Sequence, residues 1–257
     1  MATSKGTASS ILITGASSGI GEALADHYAA QGRHLALTGR SETRLTAVAE
    51  RLRGRGAEVQ TAVVSVTDRA AMAALVAEVD AKAPLDLVIA NAGISAGTGG
   101  GEEPPEQTRA ITATNVEGVL NTVEPALTGM RMRSRGQIGL IASLAGFRGF
   151  PGAPAYCASK AWVKVWGEGL RGHLAPQGIG VTVVCPGFVK SRMTAVNDFP
   201  MPFLWGSEKA AGRIARGLER NHARVAFPWP LVCAVHLLAG LPPGLVELLQ
   251  RRLPAKT

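Results

Sequence analysis

Thr14-Gly15-Ala16-Ser17-Ser18-Gly19-Ile20-Gly21 follows the apolar run Ile11–Thr14 and opens an amphipathic stretch over 19–31. The order apolar run, glycine turn, amphipathic run predicts a strand that passes through a tight turn into a helix. Glycines at such a turn let backbone N–H groups approach a pyrophosphate, and the helix N-terminus favours negative charge there. Gly15, Ser17, Ser18, Gly19, Ile20 and Gly21 are therefore candidate dinucleotide contacts. A glycine turn alone also fits a plain strand-to-helix connection, so the reading has to widen.

Downstream the same rhythm repeats. Short apolar runs predict strands at Ile11–Thr14, His34–Thr38, Glu58–Val64, Leu85–Ala90, Gln137–Ala142 and Gly180–Cys185, and helices are predicted near 19–31, 41–54, 68–82, 107–131 and 155–175. Strands alternating with helices long enough to cross over predict an α/β fold, a doubly wound parallel sheet of Rossmann type with helices on both faces. Right-handed crossovers place the loops after the strands along one carboxyl edge, where such sheets bind ligands.

With 257 residues, 46% of them apolar, and a mean hydropathy of +0.15, one core and one domain spanning 1–257 are expected, with residues 8–225 as its body. Gly97–Glu106 reads as an aperiodic surface connection. Residues 188–206 read as a loop or short helix, followed by a helix at 207–220 and a last strand at Val225–Phe227. Residues 228–257 form an apolar C-terminal extension of helical character, punctuated by Pro228, Pro230, Pro242 and Pro243. Its run Leu231–Leu241 is far short of the roughly 20 residues that span a bilayer.

The balance of 27 Lys+Arg against 19 Asp+Glu gives +8, which draws anionic ligands at long range. The arginines fall in small groups (Arg51, Arg53, Arg55; Arg131, Arg133, Arg135; Arg251, Arg252) without interleaved aromatics, which argues against a nucleic-acid partner. Cys157, Cys185 and Cys233 form no CxxC pair, and His27, His34, His173, His222 and His236 show no ligand spacing, so no metal site is expected. The opening MATSKGTASS lacks the apolar core of a signal peptide, and a cytoplasmic location is expected.

Further along stand Asn91-Ala92-Gly93, Asn115, Ser143, Tyr156-Cys157-Ala158-Ser159-Lys160 and Pro186-Gly187. In order and separation these, with the opening glycine turn, resemble the short-chain dehydrogenase/reductase family over roughly residues 8–225. The resemblance implies an oxidoreductase acting on CH–OH or C=O groups with a nicotinamide cofactor. Tyr156 and Lys160, four apart on a helix, share one face. A free tyrosine has a pKa of about 10, and a neighbouring cation is expected to lower it, so that the phenol exchanges a proton with the reacting oxygen. The resemblance assigns Ser143 to hold that oxygen, and Asn115 to disturb its helix locally and carry a water toward Lys160. It also implies that Asn91, Ala92, Gly93, Pro186, Gly187, Val189 and Ser191 flank the cofactor, with Ser191 at the carboxamide, and that Ser65 and Val66 lie near the adenine. Three positions depart from the family pattern: Ala90 replaces the first amide of NNAG, Ser65 replaces an aspartate, and Ser191 replaces a threonine.

NAD-preferring relatives carry an acid at the end of the second strand, whereas this chain reads Leu37-Thr38-Gly39-Arg40. The planar donors of Arg40, with the Ser17 hydroxyl nearby, suit a 2′-phosphate, so NADP(H) is expected over NAD(H). Phe188, Met193, Phe199, Met201, Phe203, Leu204 and Trp205 suggest an apolar lid and a hydrophobic small-molecule carbonyl or alcohol. A regulatory protein that binds NADPH with little turnover is the alternative, but it would not need the set Asn115, Ser143, Tyr156 and Lys160. The family resemblance implies a homo-oligomer packed through 107–131 and 155–175. Leu245, Val246, Leu248, Leu249 and Leu253 with Arg251 and Arg252 also suit a membrane-surface helix, although packing of the tail on its own subunit, over the substrate mouth, is the favoured reading.

Overall fold

The computed structural model describes residues 8–30, 32–96, 98 and 101–250, the side chains of 248–250 excepted. The strands are β1 (Ser10–Ile13), β2 (His34–Gly39), β3 (Glu58–Val63), β4 (Leu87–Ala90), β5 (Gly136–Ile141), β6 (Ile179–Pro186) and β7 (Arg224–Phe227). The α-helices are α1 (Gly19–Tyr28), α2 (Glu42–Arg53), α3 (Arg69–Lys82), α4 (Pro105–Thr112), α5 (Gly118–Met132), α6 (Pro154–Leu174), α7 (Arg192–Ala195), α8 (Ser207–Glu219), α9 (Trp229–Gly240) and α10 (Pro243–Gln250). All seven strands run parallel in the order β3-β2-β1-β4-β5-β6-β7.

Successive strand side chains point to opposite faces, and the sequence fills both with apolar groups. Ile11 and Ile13 of β1, Leu35 and Leu37 of β2 and Leu87 and Ile89 of β4 join Leu24, Leu45 and Ile214 of α1, α2 and α8 in one core layer. The residues between them, Leu12, Ala36 and Val88, point the other way and meet Val76, Val123 and Val163 of α3, α5 and α6. The sheet is thus sandwiched between two helical layers, as expected. Strand order reverses between β1 and β4, so the loops leaving those two strands diverge and open a crevice at the carboxyl edge.

Two expected elements differ. The single helix over 107–131 is two helices, α4 and α5, joined by a π-turn at Ala113–Glu117. The π-turn carries Asn115, whose buried side chain is drawn onto Ile94 and Ser159, a tertiary pull that periodicity does not reveal. The fourth strand starts at Leu87, not Leu85, because the Leu85 N–H is taken by Asp80 Oδ1 at 2.8 Å.

The arginine groups are largely tied down. Arg51 bridges Glu22 at 2.9 Å and Asp26 at 2.8 Å, Arg133 pairs with Asp80 at 2.7 Å and Arg135 with Asp86 at 2.6 Å. Arg251, Arg252 and Leu253 lie outside the described residues. Among the described residues no helix is long and apolar enough to cross a membrane, and no three His, Cys, Asp or Glu side chains are placed to hold a metal ion.

Candidate active site

The loops after β1 and β4 are stitched together by two side chains. Thr14 Oγ1 accepts from the N–H groups of Asn91 and Ala92, both at 3.1 Å, and Asn91 Nδ2 donates back to the Thr14 and Gly15 carbonyls at 2.9 and 3.2 Å. The stitch brings backbone so close that a Cβ on Gly15 would sit 2.9 Å from Ala92 Cα, and Gly15 adopts φ +66°. Gly21, the first full turn of α1, would place a Cβ 2.4 Å from the Gly15 carbonyl oxygen. Ser18, at the N-cap of α1, makes no side-chain cap bond. The result is a helix N-terminus walled by backbone, with room made by glycine, which fits a phosphate cradle. Thr14 is absent from the residues singled out by sequence, although it begins the quoted motif; its role is visible only when β4 lies beside β1.

At the end of β2, a Cβ on Gly39 would lie 3.0 Å from Ser17 Oγ, so the first glycine loop and the β2 terminus touch. Arg40 follows directly, exposed and without an ion-pair partner among the described residues. The Thr38 hydroxyl is buried and unpartnered beside it. Ser65 Oγ bonds Thr67 Oγ1 at 2.7 Å, and the Val66 carbonyl accepts from Asn121 at 2.9 Å while its side chain packs on Gly118. These positions flank the same edge of the sheet.

The proton-transfer candidates converge beyond β4 and β5. Ser143 leaves β5, its hydroxyl accepting from the Ala145 N–H at 3.1 Å, and hydrogen-bonds the Tyr156 side chain on the first turn of α6. Lys160, one turn on, is buried, and its Nζ donates to the Ile141 carbonyl at 2.8 Å. Asn115 Nδ2 donates to the Ile94 carbonyl at 2.9 Å and to Ser159 Oγ at 3.0 Å, while Oδ1 accepts from the Ile94 N–H at 2.8 Å. A Cβ on Gly93 would meet Asn115 Oδ1 at 3.2 Å and Lys160 Nζ at 3.4 Å, which places all three around one point. Ser159, which the sequence reading passed over, donates to the Tyr156 carbonyl at 2.8 Å and so links Asn115 to the tyrosine's own turn. Gly146 was also missed: a Cβ there would fall 2.7 Å from the Lys160 carbonyl, so the 3₁₀ turn Leu144–Phe147 seats against α6 only with glycine.

One expectation needs correction. Lys160 does not pull the Tyr156 pKa below its ordinary value. Burial pushes it up, only partly opposed by the Ser143 hydrogen bond. The lysine Nζ lies 5.9 Å from the centre of the tyrosine ring, turned onto Ile141, and burial lowers its own pKa to about 8. The Ser191 hydroxyl also caps a helix: it accepts from the Thr194 N–H at 3.3 Å, and the Ser191 N–H donates to Thr194 Oγ1 at 2.9 Å. Ser191 faces the cradle, since a Cβ on Gly19 would lie 2.9 Å from the Ser191 Cβ.

Residues 188–206 form a flap pinned at its base, where Val189 and Trp205 make a parallel bridge. The Lys190 N–H donates to the Trp205 carbonyl at 2.8 Å and the Trp205 N–H to that of Phe188 at 3.0 Å, while Trp205 stacks on Phe227. The C-terminal extension comes back to the same mouth. Leu231 and Pro228 would each contact a Cβ on Gly187 at 3.0 Å, and His236 of α9 packs its ring against Phe147.

Glycine cradle, strand-order reversal and the Ser143–Tyr156–Lys160 cluster define the dinucleotide-binding oxidoreductases of α/β type. A family model described as short chain dehydrogenase matches residues 9–199, and the chain belongs to that family. An uncharacterized oxidoreductase of Myxococcus xanthus is 40% identical over 243 residues, covering 94% of this chain and 96% of that one. A Streptomyces virginiae protein that carries the provisional name of a monensin polyketide synthase ketoacyl reductase is 40% identical over 185 residues, 71% of each chain. Among solved structures, the short-chain dehydrogenase from Sphingobium yanoikuyae in complex with NADPH superposes with TM-score 0.80 at 27% identity, over 96% of this chain and 98% of that one.

Proposed function

We propose that the protein reduces the carbonyl of a hydrophobic small molecule with NADPH, Tyr156 giving its proton to the carbonyl oxygen while Ser143 holds that oxygen in place. The single observation that carries this reading is the Ser143–Tyr156 hydrogen bond, with Lys160 buried one turn away, at the carboxyl edge beside the glycine cradle. When bound, the nicotinamide supplies a hydride to the carbonyl carbon. Gly15, Ser17, Ser18, Gly19, Ile20 and Gly21 would hold the pyrophosphate end, with Ser65 and Val66 toward the adenine. Asn91, Ala92, Gly93, Pro186, Gly187, Val189 and Ser191 would line the nicotinamide end, together with Tyr156 and Lys160. The raised pKa keeps Tyr156 protonated at neutral pH, so it is set as a proton donor, which favours reduction. Both amide hydrogens of Asn115 are taken by Ile94 and Ser159, which anchors the π-turn, and a water relay toward Lys160 would use the backbone of that turn.

The flap residues Phe188 and Phe199, whose rings meet at 6.0 Å, and Leu231 of α9 support an apolar substrate and a tail that walls its own mouth. Exposed Met132 on α5 and Val165 on α6 support packing against a second copy. The Streptomyces virginiae relative's name makes a β-keto thioester the first substrate to try. NADPH oxidation by an acetoacetyl thioester, followed at 340 nm across a panel that includes quinones, steroids and keto-esters, tests the reading. No oxidation with any carbonyl, despite tight NADPH binding, would favour the regulatory alternative.

Arg40 carries the cofactor preference. Hydrogen bonds to charged groups contribute about 1.5–3 kcal/mol, so Arg40→Ala should weaken NADPH binding by about 10- to 100-fold and leave NADH binding nearly unchanged. Equal losses for the two nucleotides in a fluorescence titration would remove Arg40 from that role.

A further inference from the structure

Helix α6 starts without a local cap. Its N-cap position is Ala153, which has only a methyl group, and Pro154 fills the first helical position. The first free N–H, that of Ala155, is satisfied from 52 residues away: Glu103 Oε2 accepts it at 3.0 Å. The same carboxylate accepts from Gln107 Nε2 at 3.2 Å and Thr108 Oγ1 at 3.3 Å, both in α4. Nearby, the Thr98 N–H donates to the Gly152 carbonyl at 3.1 Å, a second tie to the lead-in to α6.

The position of these ties matters. The chain leaving Glu103 runs through α4 into the π-turn, where Asn115 holds Ser159 at 3.0 Å. Tyr156 is therefore bracketed on its own helix by Ala155 and Ser159, each held by one end of the segment 103–115. A carboxylate at this end of α6 also opposes the positive end of the helix dipole. Neither the nucleotide cradle nor Arg40 touches this bracket.

We propose that Glu103 is a positioning residue for Tyr156, supplying from the stretch just before α4 the cap that holds the first turn of α6 in register with Ser143. The proposal rests on the reading of Tyr156 as proton donor. Its loss lets the phenol drift from the carbonyl it must protonate, and displacements of the order of 1 Å cost rate steeply. What matters is an acceptor oxygen with the reach of Glu103: glutamine keeps one at the same distance, whereas alanine removes it.

The test compares Glu103→Ala, Glu103→Gln and Tyr156→Phe in the full-length protein with NADPH and acetoacetyl-N-acetylcysteamine. In Glu103→Ala kcat should fall about 10-fold, with the thioester KM and the NADPH dissociation constant held within about twofold. Glu103→Gln should recover more than half of the wild-type kcat. Independently of any substrate, amide hydrogen exchange in the peptide 152–160 should rise in Glu103→Ala and return toward wild type in Glu103→Gln. Wild-type kcat in Glu103→Ala, unchanged exchange in that peptide, or loss of NADPH affinity in parallel with kcat would each overturn the proposal. If Tyr156→Phe turns over normally, the functional reading fails first; if it is inactive while Glu103→Ala is not, only the role of Glu103 fails. Should Glu103→Ala not fold, a Glu103→Gln protein with wild-type exchange but a 10-fold lower kcat would overturn it equally.

Discussion

Tyr156→Phe is expected to lower kcat by about 10²- to 10⁴-fold, the range that a positioned general acid contributes. The substitution removes one oxygen and its hydrogen bond with Ser143 and leaves the ring in place. The Ser143 hydroxyl keeps its contact with the Ala145 N–H at 3.1 Å, so the end of β5 is not left without partners. The glycine cradle lies on other loops, and NADPH affinity should change less than about threefold, a difference small against 1.4 kcal/mol. The two readouts separate chemistry from binding: a variant that binds NADPH normally and turns over slowly has lost a group acting in the transition state. Full turnover would place the proton donor elsewhere. Because burial raises the tyrosine pKa, the wild-type donor form persists through neutral pH, and no fall in rate due to Tyr156 is expected below its ordinary value of about 10.

What the sequence made legible follows from where the physics is local. The parallel sheet was readable because Ile11, Leu12 and Ile13 are all apolar, as a strand covered on both faces requires, and the same holds for Leu35–Leu37 and Leu87–Ile89. The glycine turn and the Tyr156–Lys160 spacing are also local patterns. The π-turn at Asn115 was expected only as a disturbance implied by family likeness, since its cause is a contact with Ile94 and Ser159, 21 and 44 residues away. Thr14, Ser159 and Gly146 carry meaning only through partners on other elements, and Glu103 sits in a stretch whose glycines and prolines read as a loose connection. The tyrosine's pKa went the other way because a helical spacing of four fixes a shared face but not where the lysine head turns. Lys160 is long enough to reach the Ile141 carbonyl, and burial then governs both groups.

That burial makes Lys160 an opposed pair of effects. Its pKa falls from 10.5 to about 8, because burial holds the ammonium away from water. The folded state therefore binds fewer protons than the unfolded chain between pH 8 and 10.5, and stability rises with pH across that window. Below pH 8 the whole cost is present, at most about 3 kcal/mol by the conversion of 1.36 kcal/mol per pKa unit. Lys160→Met keeps the length and apolar stem and removes the charge. It also gives up the bond to the Ile141 carbonyl, which costs about 1 kcal/mol of the gain. At pH 7 the variant should thus be more stable than wild type by about 1–2 kcal/mol, and the advantage should shrink as pH approaches 10.5. Urea unfolding of both proteins at pH 7 and pH 10 measures this. At the same time turnover should drop by at least about 100-fold, since the group beside Tyr156 and Gly93 is gone. A less stable variant whose deficit does not change with pH would mean that the buried ammonium is no burden to the fold. A more stable, inactive one would mark Lys160 as a charge kept at the carboxyl edge against the fold's own preference, which is where selection for chemistry and selection for stability part.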